Sequence, residues 1–204
     1  MTSISQAAKP DISQAADFYK KNEPHLYIET FKGKKFFMED PQFDIEEIAH
    51  ALSMQCRYTG HTDRFYSVAE HSVLVATIMN TLGKGSPFEG LMHDASEAYL
   101  SDIASPWKAL LPDYKKIEAK IEVPMRKYYG LPLTITQECK YADWVALFAE
   151  AHVMIPSGGA EWIMPDPQMR EDAKKFYNYQ FGWDHKRAER EFLDAYSRLN
   201  QRAV

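Results

Sequence analysis

The chain has 204 residues, enough for one domain with a small appendage, and its 45% apolar and 26% charged residues are those of a globular protein with a sizeable core. Twenty-four basic against 29 acidic residues leave a net charge of −5, which argues against a generic nucleic-acid or anionic-membrane surface. Two distant cysteines, Cys56 and Cys139, exclude a disulfide framework or a cysteine zinc ribbon and fit a reducing cytosol. The longest apolar run, Val73 to Met79, is too short to span a bilayer, and the first residues lack the basic and apolar regions of a signal peptide. A cytoplasmic, soluble, compact protein is expected.

Along the chain, Ile4-Ser5-Gln6-Ala7-Ala8 recurs as Ile12-Ser13-Gln14-Ala15-Ala16, which reads as a short helix or a flexible leader. Residues Phe31 to Phe43 are aromatic and contain Gly33, the pattern of a small hairpin or extended arm. Residues 1–43 therefore form a leader and arm, and 44–204 the core. Asp44 with Glu47 predicts an N-cap and its return partner, followed by Ile45, Ile48, Ala49, Leu52 and Cys56 at helical spacing. Ser67-x-x-Glu70 is a capping box before the stripe Val68, His71, Val75, Ile78, Leu82, with Gly83 as terminator. Ser86-Pro87-Phe88-Glu89 is a second box, opening a helix through Leu91, Met92, Ala95 and Tyr99. A fourth helix is predicted from Asp113 to Tyr129, kinked near Pro124 and stopped by Gly130. Thr134-x-x-Gln137 starts a fifth, carrying Tyr141, Trp144, Leu147, Phe148 and Ala151; 155–167 reads as loop, and a last helix spans His185 to Arg202. The predicted fold is all-α.

Chemistry concentrates on three of these helices. His71 lies on an apolar stripe and points inward; His93, Asp94 and Glu97 fall in one helical sector; Asp143 sits among aromatic and aliphatic residues. Burying that carboxylate needs positive compensation. Two imidazoles and two carboxylates make a mixed N/O donor set that suits Mn, Fe, Co, Ni or Zn better than Ca. Taken singly, each of these residues is as well explained as a satisfied core histidine or a surface charge.

Together, the ordered series His, His-Asp, Asp resembles the HD superfamily of metal-dependent phosphohydrolases. The segments Ala69-Glu70-His71-Ser72, Leu91-Met92-His93-Asp94-Ala95-Ser96-Glu97-Ala98, Asp102-x-x-x-Pro106 with Lys108, and Tyr141-Ala142-Asp143 are similar to bacterial HD-domain 5′-deoxynucleotidases over roughly Ile48 to Glu150. Phage HD enzymes acting on dATP share that core.

The resemblance implies an HD-domain helical bundle. His71, His93, Asp94 and Asp143 would hold one divalent transition metal, with positions open for water and a phosphate oxygen. It further implies Glu97 as the group that orients or deprotonates the attacking water. Arg57, where that family has a phosphate-contacting arginine, would be the phosphate clamp. Asp102 would contact the sugar or assist the leaving oxygen, or merely cap the segment that Pro106 begins; Lys108 would add positive charge. Tyr58 would shape the base or sugar pocket, or simply pack. His61 and Arg64 read as exposed loop residues, and Tyr141, Trp144 and Phe148 as core.

The implied activity is removal of the 5′-phosphate from a small deoxynucleotide, dNMP to deoxynucleoside, in a cytoplasmic homo-oligomer. Hydrolysis of dATP, a cyclic-nucleotide phosphodiesterase and a catalytically inactive scaffold remain the alternatives.

Overall fold

The computed structural model describes residues 21, 25–163 and 165–200. The duplicated leader segments and the last residues of the predicted final helix lie outside them.

A two-stranded antiparallel hairpin, β1 (Tyr27–Glu29) and β2 (Lys35–Phe37), with Ile28 opposite Phe36, precedes the helices. It begins a few residues earlier than the predicted arm, and it is docked onto the core. Phe36 is buried and stacks on Tyr99 at 3.8 Å. Lys32 and Lys34 both bond the Asp44 carboxylate at 2.8 Å.

Asp44 caps α1 (Ile45–Met54), accepting from the backbone N–H groups of Glu46 and Glu47. The expected return from Glu47 is not made; its carboxylate accepts the Thr30 hydroxyl at 2.8 Å. The helix ends before Cys56, which is exposed and pairs with Ser67 in an isolated bridge.

α2 (Val68–Leu82) starts on the Ser67 hydroxyl and stops at Gly83 in the left-handed region (φ 61°), both as the sequence predicts. Its other capping partner is diverted: Glu70 accepts the backbone N–H groups of Gly182 and Trp183 instead. The predicted single stripe is also too narrow. α2 is buried on nearly every side because it runs between two apolar clusters, one built with α1, α3 and α9, the other with α7 and α8.

The third predicted helix is broken. α3 (Pro87–Met92) ends at His93, a tight turn covers residues 93–96, and α4 (Glu97–Leu100) follows. Through the break the backbone bonds run three residues back, Ala95 to Met92, Glu97 to Asp94 and Tyr99 to Ser96, as in a 3₁₀ turn. α3 approaches α2 closely. A Cβ on Gly90 would lie 2.7 Å from Met79 Sδ and 3.2 Å from the Ala76 backbone.

After α5 (Ser105–Lys108) comes α6 (Pro112–Tyr128), one element running through Pro124 and followed by Gly130 at φ 67°. α7 (Gln137–Met154) is capped by the Thr136 hydroxyl, two residues beyond the predicted Thr134. The competing signal is Glu89, which accepts from Thr136 N, Thr136 Oγ1 and Arg126 Nη2 at 3.0, 2.6 and 2.6 Å, welding α3 to α6 and α7.

Ala142, Val145, Ala146 and Ala149 form the core face of α7, whereas Tyr141, Trp144 and Leu147 are only half-buried. The aromatic side packs against α8 (Pro167–Ala173), a helix that starts where the predicted loop ends; Tyr141 donates to Asp172 at 2.7 Å. α9 (His185–Asn200) closes the bundle with Ala188, Phe192 and Ala195. The architecture is all-α apart from the hairpin, and among the described residues no helix is long and apolar enough to cross a membrane.

Candidate metal centre

The two crossings of α2, with α3 and with α7, bring together side chains more than 70 residues apart in sequence. His71 Nε2 lies 3.3 Å from His93 Nε2, 3.2 Å from Asp143 Oδ1 and 3.6 Å from Asp94 Oδ2. His93 Nε2 lies 3.2 Å from Asp94 Oδ2 and 4.0 Å from Asp143 Oδ1. All four predicted ligands therefore converge, and His71, His93 and Asp143 alone offer one donor atom each within a 4.8 Å span that could hold a metal ion. Both histidines are buried, while the Asp143 side chain is 45% exposed, so the cluster opens on its carboxylate side.

The partners of the far ring nitrogens decide what this cluster can do. His93 Nδ1 is 2.8 Å from the Gly90 carbonyl oxygen, which only accepts, so that nitrogen carries a proton. His71 Nδ1 is 2.6 Å from Glu150 Oε1 and donates to it. Burial works against the Glu150 carboxylate, yet His71 and Arg57 beside it bring its pKa down to about 2, so it stays an acceptor. Each ring consequently turns its Nε2 lone pair toward the other and toward two carboxylate oxygens. Four electron-rich atoms without a donor among them demand positive charge. With both rings neutral no donor lies among these atoms, and a proton on His71 Nε2 is one way to supply the charge: burial and Arg57 resist it, but Glu150 and Asp143 prevail and lift the His71 pKa to about 9, so a cation entering the cluster would displace that proton. Of these atoms, those of His71, His93 and Asp143 are spaced to hold a metal ion.

The remaining predicted residues flank this cluster. Arg57 follows α1 in the short 3₁₀ turn Arg57–Gly60, with Nη1 3.5 Å from Asp94 Oδ2 and Nε 3.5 Å from Glu150 Oε2. Tyr58 and Thr59 adopt left-handed backbone conformations (φ 56° and 54°), a strained turn that aims Arg57 inward. Tyr58 itself donates to Glu150 Oε2 at 2.6 Å and lies beside Trp162, so its hydroxyl is committed to the cluster's support.

Glu97 is 5% exposed, and its Oε2 has no hydrogen-bond partner among the described residues. In the 3₁₀ turn residues i and i+3 eclipse, which puts Glu97 on the same side as Asp94. Burial, then Asp94 and Asp102, push its carboxyl well above the usual range. Lys108 Nζ sits 3.6 Å from Glu97 Oε1 and also pairs with Glu118. Asp102 follows Ser101, whose φ of 78° and ψ of 150° form a conformation rare outside glycine. The Gln55 amide bridges this turn, donating to the Glu97 carbonyl at 2.9 Å and accepting from Asp102 N at 3.1 Å. Burial raises the Asp102 carboxyl, against the pull of Arg57. His61 and Arg64 are exposed, Arg64 pairing with Asp63 at 2.7 Å.

Glu150 and Gln55 are the residues the sequence reading missed. Glu150 had one signal, since it lies seven residues after Asp143 on α7 and so shares its face. Gln55 had none, being the residue that terminates α1.

No protein-family model matches the chain. Over 139 residues, 67% of this chain and 76% of the relative, it is 43% identical to the uncharacterized protein YfdR of Escherichia coli K12. Over 153 residues, 66% of this chain and 78% of the relative, it is 32% identical to an uncharacterized protein of Rhodobacter capsulatus.

Proposed function

We propose that this chain, which belongs to the family of the Escherichia coli protein YfdR, is a metal-dependent phosphohydrolase of the HD type that removes the 5′-phosphate from deoxynucleotides in the cytosol. One observation carries the reading: both imidazoles have their Nδ1 protons engaged, leaving two Nε2 atoms 3.3 Å apart and facing Asp94 and Asp143. His71, His93, Asp94 and Asp143 would hold the ion. When bound, a divalent cation lowers the pKa of a water and offsets negative charge on a phosphoryl group.

The chain's own residues supply the rest. Arg57, beside Asp94, offers a planar fork that matches two phosphate oxygens. Glu97, whose Oε2 has no hydrogen-bond partner among the described residues, would take the proton of the attacking water in its ionised form, which Lys108 and Arg57 favour against burial. Lys108 is already paired with Glu97 and Glu118, so its part is to hold Glu97 in place rather than to contact phosphate. Asp102, whose carboxyl burial raises above its ordinary value, would return a proton to the departing O5′. Water thus adds to phosphorus while the P–O5′ bond breaks, releasing orthophosphate and the deoxynucleoside.

A screen of nucleoside mono- and triphosphates with Mn²⁺, Co²⁺, Ni²⁺ or Zn²⁺, with released product identified, tests this. Orthophosphate from dNMP is the expected result. Turnover of dATP without dAMP turnover replaces the monophosphate with the triphosphate as substrate. Metal binding with no phosphate release from any nucleotide replaces the enzyme with a scaffold.

A further inference from the structure

Glu150 is wholly buried on α7 and belongs to none of the motifs that marked the site. A carboxylate this deep is costly unless donors surround it. Here Oε1 accepts from His71 Nδ1 and, at 2.9 Å, from the Tyr66 hydroxyl, while Oε2 accepts from the Tyr58 hydroxyl and faces Arg57 Nε. Two of these four neighbours are the imidazole assigned to the cation and the guanidinium assigned to phosphate. The other two are tyrosines that fill its remaining lone pairs.

We propose that Glu150 is a positioning residue that couples the grip on the cation to the grip on phosphate, because one carboxylate orients both His71 and Arg57. The inference rests on the metal reading of the site and deepens it. Glu150 touches neither cation nor substrate. By holding the proton on His71 Nδ1 it keeps Nε2 free for a metal bond; without it the proton is at liberty to settle on Nε2. By facing Arg57 Nε it balances the pull of Asp94 on Nη1, 3.5 Å on the other side. Once that balance is lost, the guanidinium leans on Asp94 and competes with the cation for its oxygen.

Glu150→Gln tests this, since the amide keeps the shape and replaces one acceptor oxygen with a donor. Three quantities are measured: the His71 Nδ1–H resonance in cation-free protein, Co²⁺ affinity by calorimetry, and inorganic phosphate affinity of the Co²⁺-loaded protein. The wild type should show a downfield, slowly exchanging Nδ1–H signal that E150Q loses. In E150Q, Co²⁺ affinity should fall roughly 10–100-fold, with phosphate affinity falling as well. Wild-type Co²⁺ affinity in folded E150Q overturns the proposal, and weakened Co²⁺ with unchanged phosphate affinity overturns the coupling. Should E150Q fail to fold, the wild-type spectrum decides, and absence of a protected Nδ1–H signal is fatal. A wild type that binds no Co²⁺ sinks the cation reading itself, whereas the Nδ1–H signal is read without any cation.

Discussion

Two buried ionic clusters meet at α3, one through Glu89 within it and one at His93 just past its end, and they are built on opposite principles. At Glu89 the charges match: the Arg126 guanidinium and both Thr136 groups converge on one carboxylate, and both charged side chains are almost fully enclosed. At His71 the acceptors outnumber the donors, because the protons of both rings point away from the centre they share. The first cluster is charge-balanced from within and holds three helices together. The second is complete only when positive charge enters it. Burial is common to both, so it does not separate a structural cluster from a candidate site; the balance of charge does.

The contrast can be broken most severely at Asp143 or Asp94. Either residue changed to Ala should abolish Co²⁺ retention and phosphate release together while the melting curve survives, as calorimetry and a nucleotidase assay would record. Glu97→Ala should leave Co²⁺ bound and slow hydrolysis by roughly 10²–10⁴-fold; near-normal turnover removes Glu97 from the mechanism. Arg126→Met attacks the other cluster, leaving Glu89 charged and unpaired, and should destabilise the fold by about 3–5 kcal/mol in denaturant titration without changing metal stoichiometry.

Ligand linkage sharpens the comparison further. Saturating Co²⁺ at 100 times its Kd should stabilise the wild type by about 2.7 kcal/mol, and a chelator should reverse this, while Asp143→Ala should respond to neither. The smallest effect is expected at the α1 cap. Asp44→Ala should cost about 1 kcal/mol. The Asp44 carboxyl is held below its usual range by hydrogen bonds from Lys32 and Lys34. Its ionic contribution is therefore present above about pH 4 and fades as the pH falls. Asp44→Asn should accordingly differ from the wild type at neutral pH and converge with it in acid.

What was legible in the sequence was local or carried by motif. The cap at Asp44, the stop at Gly83 and the hairpin near Gly33 each depend on one residue's own hydrogen bonds or backbone freedom, and each appears in place. The four ligand positions were legible only as a set, through resemblance, since the spacing of His71, His93 and Asp143 along the chain says nothing about convergence. Misreadings arose where tertiary contacts outbid local ones. Glu47, Glu70 and Glu89 all read as capping partners, and all three carboxylates were drawn to distant chain segments. The helix through His93 and Glu97 was read as continuous because its apolar spacing tolerates a 3₁₀ turn. α8 begins at Pro167, the last residue of the predicted loop, which sits at the first helical turn where proline is tolerated. Glu150 escaped because a lone glutamate inside an apolar helix has no signature until its partners are known.

Gly90 lends this arrangement an unexpected point of control. Its bare α-carbon lets one helix settle almost backbone to backbone against its neighbour, and its carbonyl steadies the ring of His93. A single methyl group there would meet Met79 and the Ala76 backbone and press the pair apart, so the spacing of the two imidazoles depends on a residue that offers no side chain.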